Sequence, residues 1–261
     1  MTLQVSKISD SERDFWDQAV AGFSLAHPLN AYGWGKVREI DGWEPSYFIA
    51  RDEDSVKGLI MVLHKKIPWT GFSIMYAPKG PLCEPEDGET IKALLEKLRD
   101  EAKRRRSIFL RIDPNINEGK FNCAVDPFVD AGFIHLDKRW TFWNSPRDVY
   151  RIDLTKYRTE EELYKMIDKR ARSKIRKAIT NGVTLRSADN ISDLKKFYEI
   201  YKEISIAKNF MCRDFCYQKA LWNEYIAKGN GSAYGKRDCG PSFLSRRIGK
   251  KIRPAGQKRD R

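Results

Sequence analysis

The chain is 261 residues long, 41% hydrophobic and 33% charged, with a formal net charge of +13. That composition can fill one sizeable core or two smaller ones, and no apolar run approaches the roughly 20 residues a membrane-spanning helix requires. The five cysteines include no CxxC pair and the three histidines are scattered, which argues against a disulfide framework and a zinc site.

The opening MTLQVSKISDSERDFW has no apolar leader core, so the expected address is the cytoplasm. Ser9 with Glu12 three residues on marks the start of a helix over 9–22, and a second short helix fits 31–40. The period then changes. Residues 46–50, 56–66 and 72–78 read as strands, the last ending in the turn Pro78-Lys79-Gly80-Pro81. Ile91, Leu94, Leu95 and Leu98 share one face of an amphipathic helix over 88–105. Residues 107–114 form a further strand stopped by Pro114, followed by a helix near 123–131 and strands at 132–136 and 149–154. Strands alternating with helices indicate a mixed sheet flanked by helices, in the α+β class.

From about Thr155 the character turns helical. Thr159 and Glu162 open a single basic helix that ends at Asn181-Gly182, with Leu163, Met166, Ile167, Ile175 and Ile179 expected in a core. Helices over 191–208 and 213–228 follow. Residues 230–261 contain ten Lys or Arg against two Asp, a net of +8, which leaves +5 for residues 1–229. That last segment shows no period and reads as a disordered basic tail or a shifted reading frame. The body is mildly basic, which suits phosphate or RNA contact without demanding either. The aromatic group Trp140, Phe142 and Trp143 reads as core packing.

Several stretches, in order and spacing, resemble the Fem family of aminoacyltransferases that build interpeptide bridges in bacterial cell walls. They are HPLNAYGWGKVREIDGWEP (27–45), YAPKGPL (76–82), LRIDP (110–114), AGF (131–133), the basic helix closing in Gly-Val (153–183) and KNFMCRDFCYQKAL (208–221). The resemblance implies a GNAT-like first domain over 1–154, the mainly helical opening of a second over 155–229, and a tail over 230–261. Two departures stand out. Asn144-Ser145-Pro146 replaces the Gln-Pro common before the strand at 149–154, and the family chain continues well past 230. On that ground the chain is expected to be truncated and weakly active.

The implied reaction moves an amino acid from aminoacyl-tRNA to the stem peptide of a nucleotide-linked or lipid-linked peptidoglycan precursor, with peripheral membrane contact and no DNA partner. No metal or organic cofactor is implied. By the resemblance, Lys36 contacts the diphosphate or sugar end of the precursor; the plainer reading is a solvated helix lysine. Arg213 and Tyr217 lie four apart on one helical face and could clamp a phosphate, or serve helix solvation and core packing. The resemblance further implies that Lys36 and Arg213 face one cleft. Asp113 is the candidate general base, although capping a turn is the stronger reading of an Asp before Pro. The competing reading from another class is a non-catalytic basic RNA-binding or scaffolding protein, built on the cations of helix 163–180. An acetyl-CoA enzyme is disfavoured, since residues 1–229 offer no Gly-rich loop between a strand and a helix.

Overall fold

The computed structural model describes residues 3–116, 125–136, 152–229 and 234–237. The chain divides into two compact units, Met1–Val149 and Tyr150–Arg261. The sequence reading had set the first boundary at 154.

The first unit is a mixed sheet built from β1 (Gln4–Lys7), β2 (Glu44–Asp52), β3 (Ser55–Lys66), β4 (Ser73–Lys79), β5 (Leu82–Cys83) and β6 (Ser107–Pro114). The order is β1-β2-β3-β4-β6, with β5 paired to β3. All pairs are antiparallel except β4–β6, which is parallel and connected through α3 (Gly88–Arg104). A parallel pair needs such a crossover, because no tight turn can return the chain in the same direction.

Both faces of this sheet are buried, as period two requires of a near-continuous apolar run. Tyr47, Ile49, Leu59, Met61 and Leu63 point to one side, where they pack with Trp16 of α1 (Arg13–Ala21) and Tyr32 of α2 (Tyr32–Glu39). Phe48, Ala50, Ile60 and Val62 point to the other and meet Leu94 and Leu98 of α3. The α+β mixed sheet flanked by helices is thus observed.

Two expected strands are corrected. Residues 132–136 form no strand: Phe133 folds back after α4 (Asp126–Asp130), its N–H bonded to Phe128 O at 2.9 Å and its ring edge-on to Phe128. Ile134 is left 85% exposed. Of residues 149–154, the first three lie outside the described residues. Asp153 then captures the Thr155 N–H at 3.1 Å and starts a 3-10 turn over Leu154–Lys156, a local bond that competes with strand pairing. The aromatic group 140–143 and the Asn144-Ser145-Pro146 stretch also lie outside the described residues.

In the second unit the single basic helix is two, α5 (Glu160–Met166) and α6 (Lys169–Thr180). Ile167 is extended, and Asp168 accepts N–H bonds from Arg170 and Ala171 at 2.7 and 3.0 Å. An aspartate in that place is a strong N-cap, so it restarts the helix rather than continuing it. Gly182, at φ 67°, closes α6 as expected. Neither helix has a buried residue, and Ile179 is 68% exposed, so the core expected for Ile175 and Ile179 is not seen. Among the described residues this unit's only sheet is the two-stranded ribbon of β7 (Thr184–Ser187) and β8 (Tyr234–Arg237), too small to cover two helices. β8 falls within the stretch read as a tail. α7 (Ile191–Lys208) and α8 (Phe215–Leu221) complete the unit, α8 running on as a π-helix over Trp222–Ile226.

On the α3 side of the sheet His64 is buried, 3.6 Å from Glu101. Burial and the nearby Arg105 charge push its pKa down to about 4. Burial would raise Glu101, but hydrogen bonds from Arg104 and Arg105 outweigh it and hold it at about 2. Because the folded pKa of His64 lies below its ordinary value near 6.5, its contribution is present above about pH 6.5 and is lost as pH falls towards 4. His64→Leu is therefore expected to flatten the fall of the urea midpoint across that window, by up to about 3 kcal/mol. An unchanged pH profile in the variant would refute this assignment.

Candidate functional site

The first candidate region grows from the contact between α2 and β2. Asp17 accepts the Tyr32 N–H at 2.7 Å and fixes where α2 begins. The Tyr32 ring stacks on Tyr47 at 4.2 Å, and the Tyr47 hydroxyl donates to the Tyr32 carbonyl at 2.8 Å. A β-carbon at position 35 would stand 2.0 Å from that hydroxyl oxygen, so the helix lies this close to the strand only because Gly35 has none. The glycine of Trp34-Gly35-Lys36 is thus the residue that sets the position of Lys36.

The Lys36 ammonium lies 3.1 Å from Glu39 and 3.4 Å from Asp10, and 5.8 Å from the Tyr32 ring centroid. Tyr32 donates its hydroxyl to the second oxygen of Asp10 at 2.6 Å. Partial burial works against the Lys36 charge, but the Glu39 and Asp10 carboxylates outweigh it and raise its pKa. The Tyr32 hydrogen bond, then the Lys36 charge, lowers that of Asp10. Lys36 is therefore a held cation rather than a free surface lysine. An anion reaching it would share the ammonium with these carboxylates or displace one of them.

The second region sits where the parallel strands β4 and β6 end together. One oxygen of Asp113 accepts the Lys79 backbone N–H at 3.0 Å; the other accepts the Tyr76 hydroxyl at 3.2 Å and lies 3.6 Å from the Lys79 ammonium. Lys79 has a positive φ of 51°. From the opposite side the buried Asn30 amide donates to the carbonyls of Lys79 and Pro78 at 3.0 and 3.4 Å. Asp113 and Asn30 together pin the turn after β4, so the Asp-Pro pair braces a neighbouring strand's turn rather than its own. The three contacts to Asp113 engage both of its oxygens in holding the turn. A shallow, open depression lined by Leu25, Lys79, Leu82, Asn115 and Ile116 lies beside the Lys79 turn. Neither Asn30 nor Lys79 was singled out from the sequence, although both sit inside quoted motifs.

In the second unit Asp214 caps α8 by accepting the Tyr217 N–H at 2.8 Å. Arg213, just outside the helix, lays its guanidinium 4.9 Å from the centroid of the Tyr217 ring. The four-residue spacing does bring the two side chains together, as a cation–π pair. On α6, Lys169, Arg170, Lys174, Arg176 and Lys177 are exposed, and Arg172 packs over Tyr164. Among the described residues no group of three or more His, Cys, Asp or Glu could hold a metal ion.

A model of the FemAB family matches residues 12–230. This chain belongs to the FemAB family. Its relatives include a lipid II:glycine glycyltransferase of Staphylococcus haemolyticus (strain JCSC1435), 25% identical over 222 residues that cover 81% of this chain and 52% of that protein. A protein of the same name from Staphylococcus aureus is 25% identical, with 81% and 51% covered. The chain thus spans about half the length of the curated relatives it matches. The crystal structure of FemX superposes with a TM-score of 0.72 at 21% identity, covering 89% of this chain and 57% of that one. At that identity the likeness concerns the fold.

Gly35→Ala is expected to destabilise this FemAB chain by about 1–3 kcal/mol, because α2 must shift off Tyr47. Combining it with Tyr47→Phe should recover part of that loss, read as a positive coupling in a double-mutant cycle of urea midpoints. Strictly additive effects would show that the Tyr47 hydroxyl does not set the position of α2.

Proposed function

We propose that the protein to which these residues belong transfers an amino acid from aminoacyl-tRNA to the stem peptide of a lipid-linked peptidoglycan precursor. The observation that carries this is the family match over residues 12–230, in which the curated relatives are lipid II:glycine glycyltransferases. In the proposed reaction an amine of the acceptor peptide attacks the ester carbonyl of the charged tRNA. The tetrahedral intermediate then expels the ribose oxygen, which leaves with the proton the amine gives up. Ester aminolysis is downhill, so the protein's share is positioning and charge stabilisation.

Lys36 in the first unit and, separately, Arg213 with Tyr217 in the second are each proposed to contact anionic groups of the precursor. Lys36 suits this as a cation whose position is set by Gly35 and whose charge is held by its neighbours. Asp113 is assigned to bracing the β4 turn, and no dedicated base is required of it. The five exposed cations of α6 favour a second reading, an RNA-binding protein without transfer.

Binding of nucleotide-linked muropeptide, measured by calorimetry, tests the site. Lys36→Ala and Arg213→Ala are each expected to weaken it by roughly 10- to 100-fold, the worth of a charge-assisted hydrogen bond. Arg213→Lys should restore only part, since the planar fork is lost. Unchanged affinity in both alanine variants would refute the assignment. Glycyl-tRNA supplied with lipid-linked precursor tests the reaction itself; tRNA binding without transferred amino acid would favour the second reading.

A further inference from the structure

The hairpin joining β3 to β4 turns through Ile67-Pro68-Trp69-Thr70-Gly71-Phe72. Trp69 is fully exposed, at 104%, and its φ of 67° lies in the left-handed region that non-glycine residues enter at a steric cost. The turn that presents it is ordered. Ile67 N–H bonds to Phe72 O at 2.9 Å, and the Thr70 hydroxyl donates to Ile67 O at 3.0 Å while accepting the Phe72 N–H at 3.1 Å. Phe72 is itself exposed. Because Ser73 pairs with Ser107, the exposed Ile108 adjoins the same end of the sheet.

Cations ring this apolar tip. The Arg106 guanidinium lies 5.1 Å from the Phe72 ring centroid, the Lys66 side chain is 83% exposed, and Lys103 and Arg104 project from the last turn of α3. The nearby carboxylates hold part of this collar, Glu44 pairing with Arg105 and Lys66 and Glu101 with Arg104 and Arg105. The result is an aromatic knob in a positive collar, with Trp69 at its tip fully exposed. Tryptophan beside lysine and arginine suits the headgroup layer of a bilayer, where ring and charge are both satisfied, and an anionic lipid surface complements the collar. Single-stranded RNA is instead tracked by a charged groove, whereas these cations surround a protrusion.

We propose that the Trp69 turn is a membrane-docking tip. It inserts Trp69 and Phe72 among the headgroups of an anionic bilayer, and Lys66, Lys103 and Arg106 face the lipid phosphates. β4 leads away from the tip for seven residues to Lys79, so the Asp113 end of the sheet stands roughly 20 Å from the lipid surface. That spacing is useful only if the acceptor is lipid-linked, and to that extent it rests on the function proposed above. The contact itself rests on the tip alone.

Cosedimentation of the 261-residue chain with vesicles of phosphatidylglycerol and phosphatidylcholine, with neither precursor nor tRNA present, tests the docking. Binding that weakens with added salt is expected, and little binding to phosphatidylcholine alone. Trp69→Ala should lower the affinity about tenfold, the equivalent of burying one large apolar side chain. Lys66→Gln combined with Arg106→Gln should weaken the preference for anionic vesicles severalfold, beyond what the rest of this +13 chain contributes. These side chains are exposed, so thermal unfolding should not change, which separates lost docking from lost folding. No binding by the unaltered chain, equal binding by Trp69→Ala, or a dimer in solution that Trp69→Ala dissolves would each overturn the proposal. Since the assay contains no substrate, failure of amino-acid transfer would leave a positive result standing, and failure of docking would not touch the transferase reading.

Discussion

The centre of β3 is buried on both sides, and the first unit is arranged around that fact. Leu59, Met61 and Leu63 feed one core while Ile60 and Val62 feed the other, so helices must cover both faces. α3 covers one face on its way from β4 to β6, which makes those two strands parallel and brings their ends together at Lys79 and Asp113. α1 and α2 cover the opposite face. The close seat of α2 on β2, set by Gly35 against Tyr47, then fixes Lys36.

The charged groups in both candidate regions are held in place by their neighbours. Lys36 is drawn by two carboxylates, Asp113 by an amide, a phenol and an ammonium, and the Arg213 guanidinium lies 4.9 Å from the Tyr217 ring centroid. Such pre-arranged groups lose less freedom on binding a ligand than loose side chains would. For Lys36 the arrangement also sets a condition, because an arriving anion meets the charges of Asp10 and Glu39 beside the ammonium. For Asp113 the same tethering explains why a carboxylate at a strand end can serve architecture alone.

What the sequence made legible was what local spacing encodes. The face of Ile91, Leu94, Leu95 and Leu98 marked α3, the apolar run of β3 marked a buried strand, and four-residue spacing joined Arg213 to Tyr217. β1 and β5 escaped because strands of four and two residues carry too little pattern, and they are defined by their partners. Residues 132–136 read as a strand from composition, yet Phe133 found a nearer partner in Phe128. Asp168 falls inside the stretch read as one helix, and its side chain instead caps the start of a second. In the site, Lys36 was visible as part of a motif, but its bond to Asp10 spans 26 positions, and that of Asn30 to Lys79 spans 49. No local period reports such pairs.

The four residues of β1 also carry a consequence for how the sheet is assembled. The β2–β3 hairpin closes through Glu53 and Asp54 alone, and β3–β4 through the short Trp69 turn, so the middle of the sheet is joined by loops of small entropic cost. β1 docks on the outer edge of β2 only after residues 8–43, with α1 and α2 in them, have been gathered in between. The cost of closure grows with loop length, and four rungs of ladder return little against it. The N-terminal strand is thus the margin of the sheet most easily released, and its departure would uncover the backbone edge of β2 from Phe48 to Arg51 while leaving both sides of β3 packed.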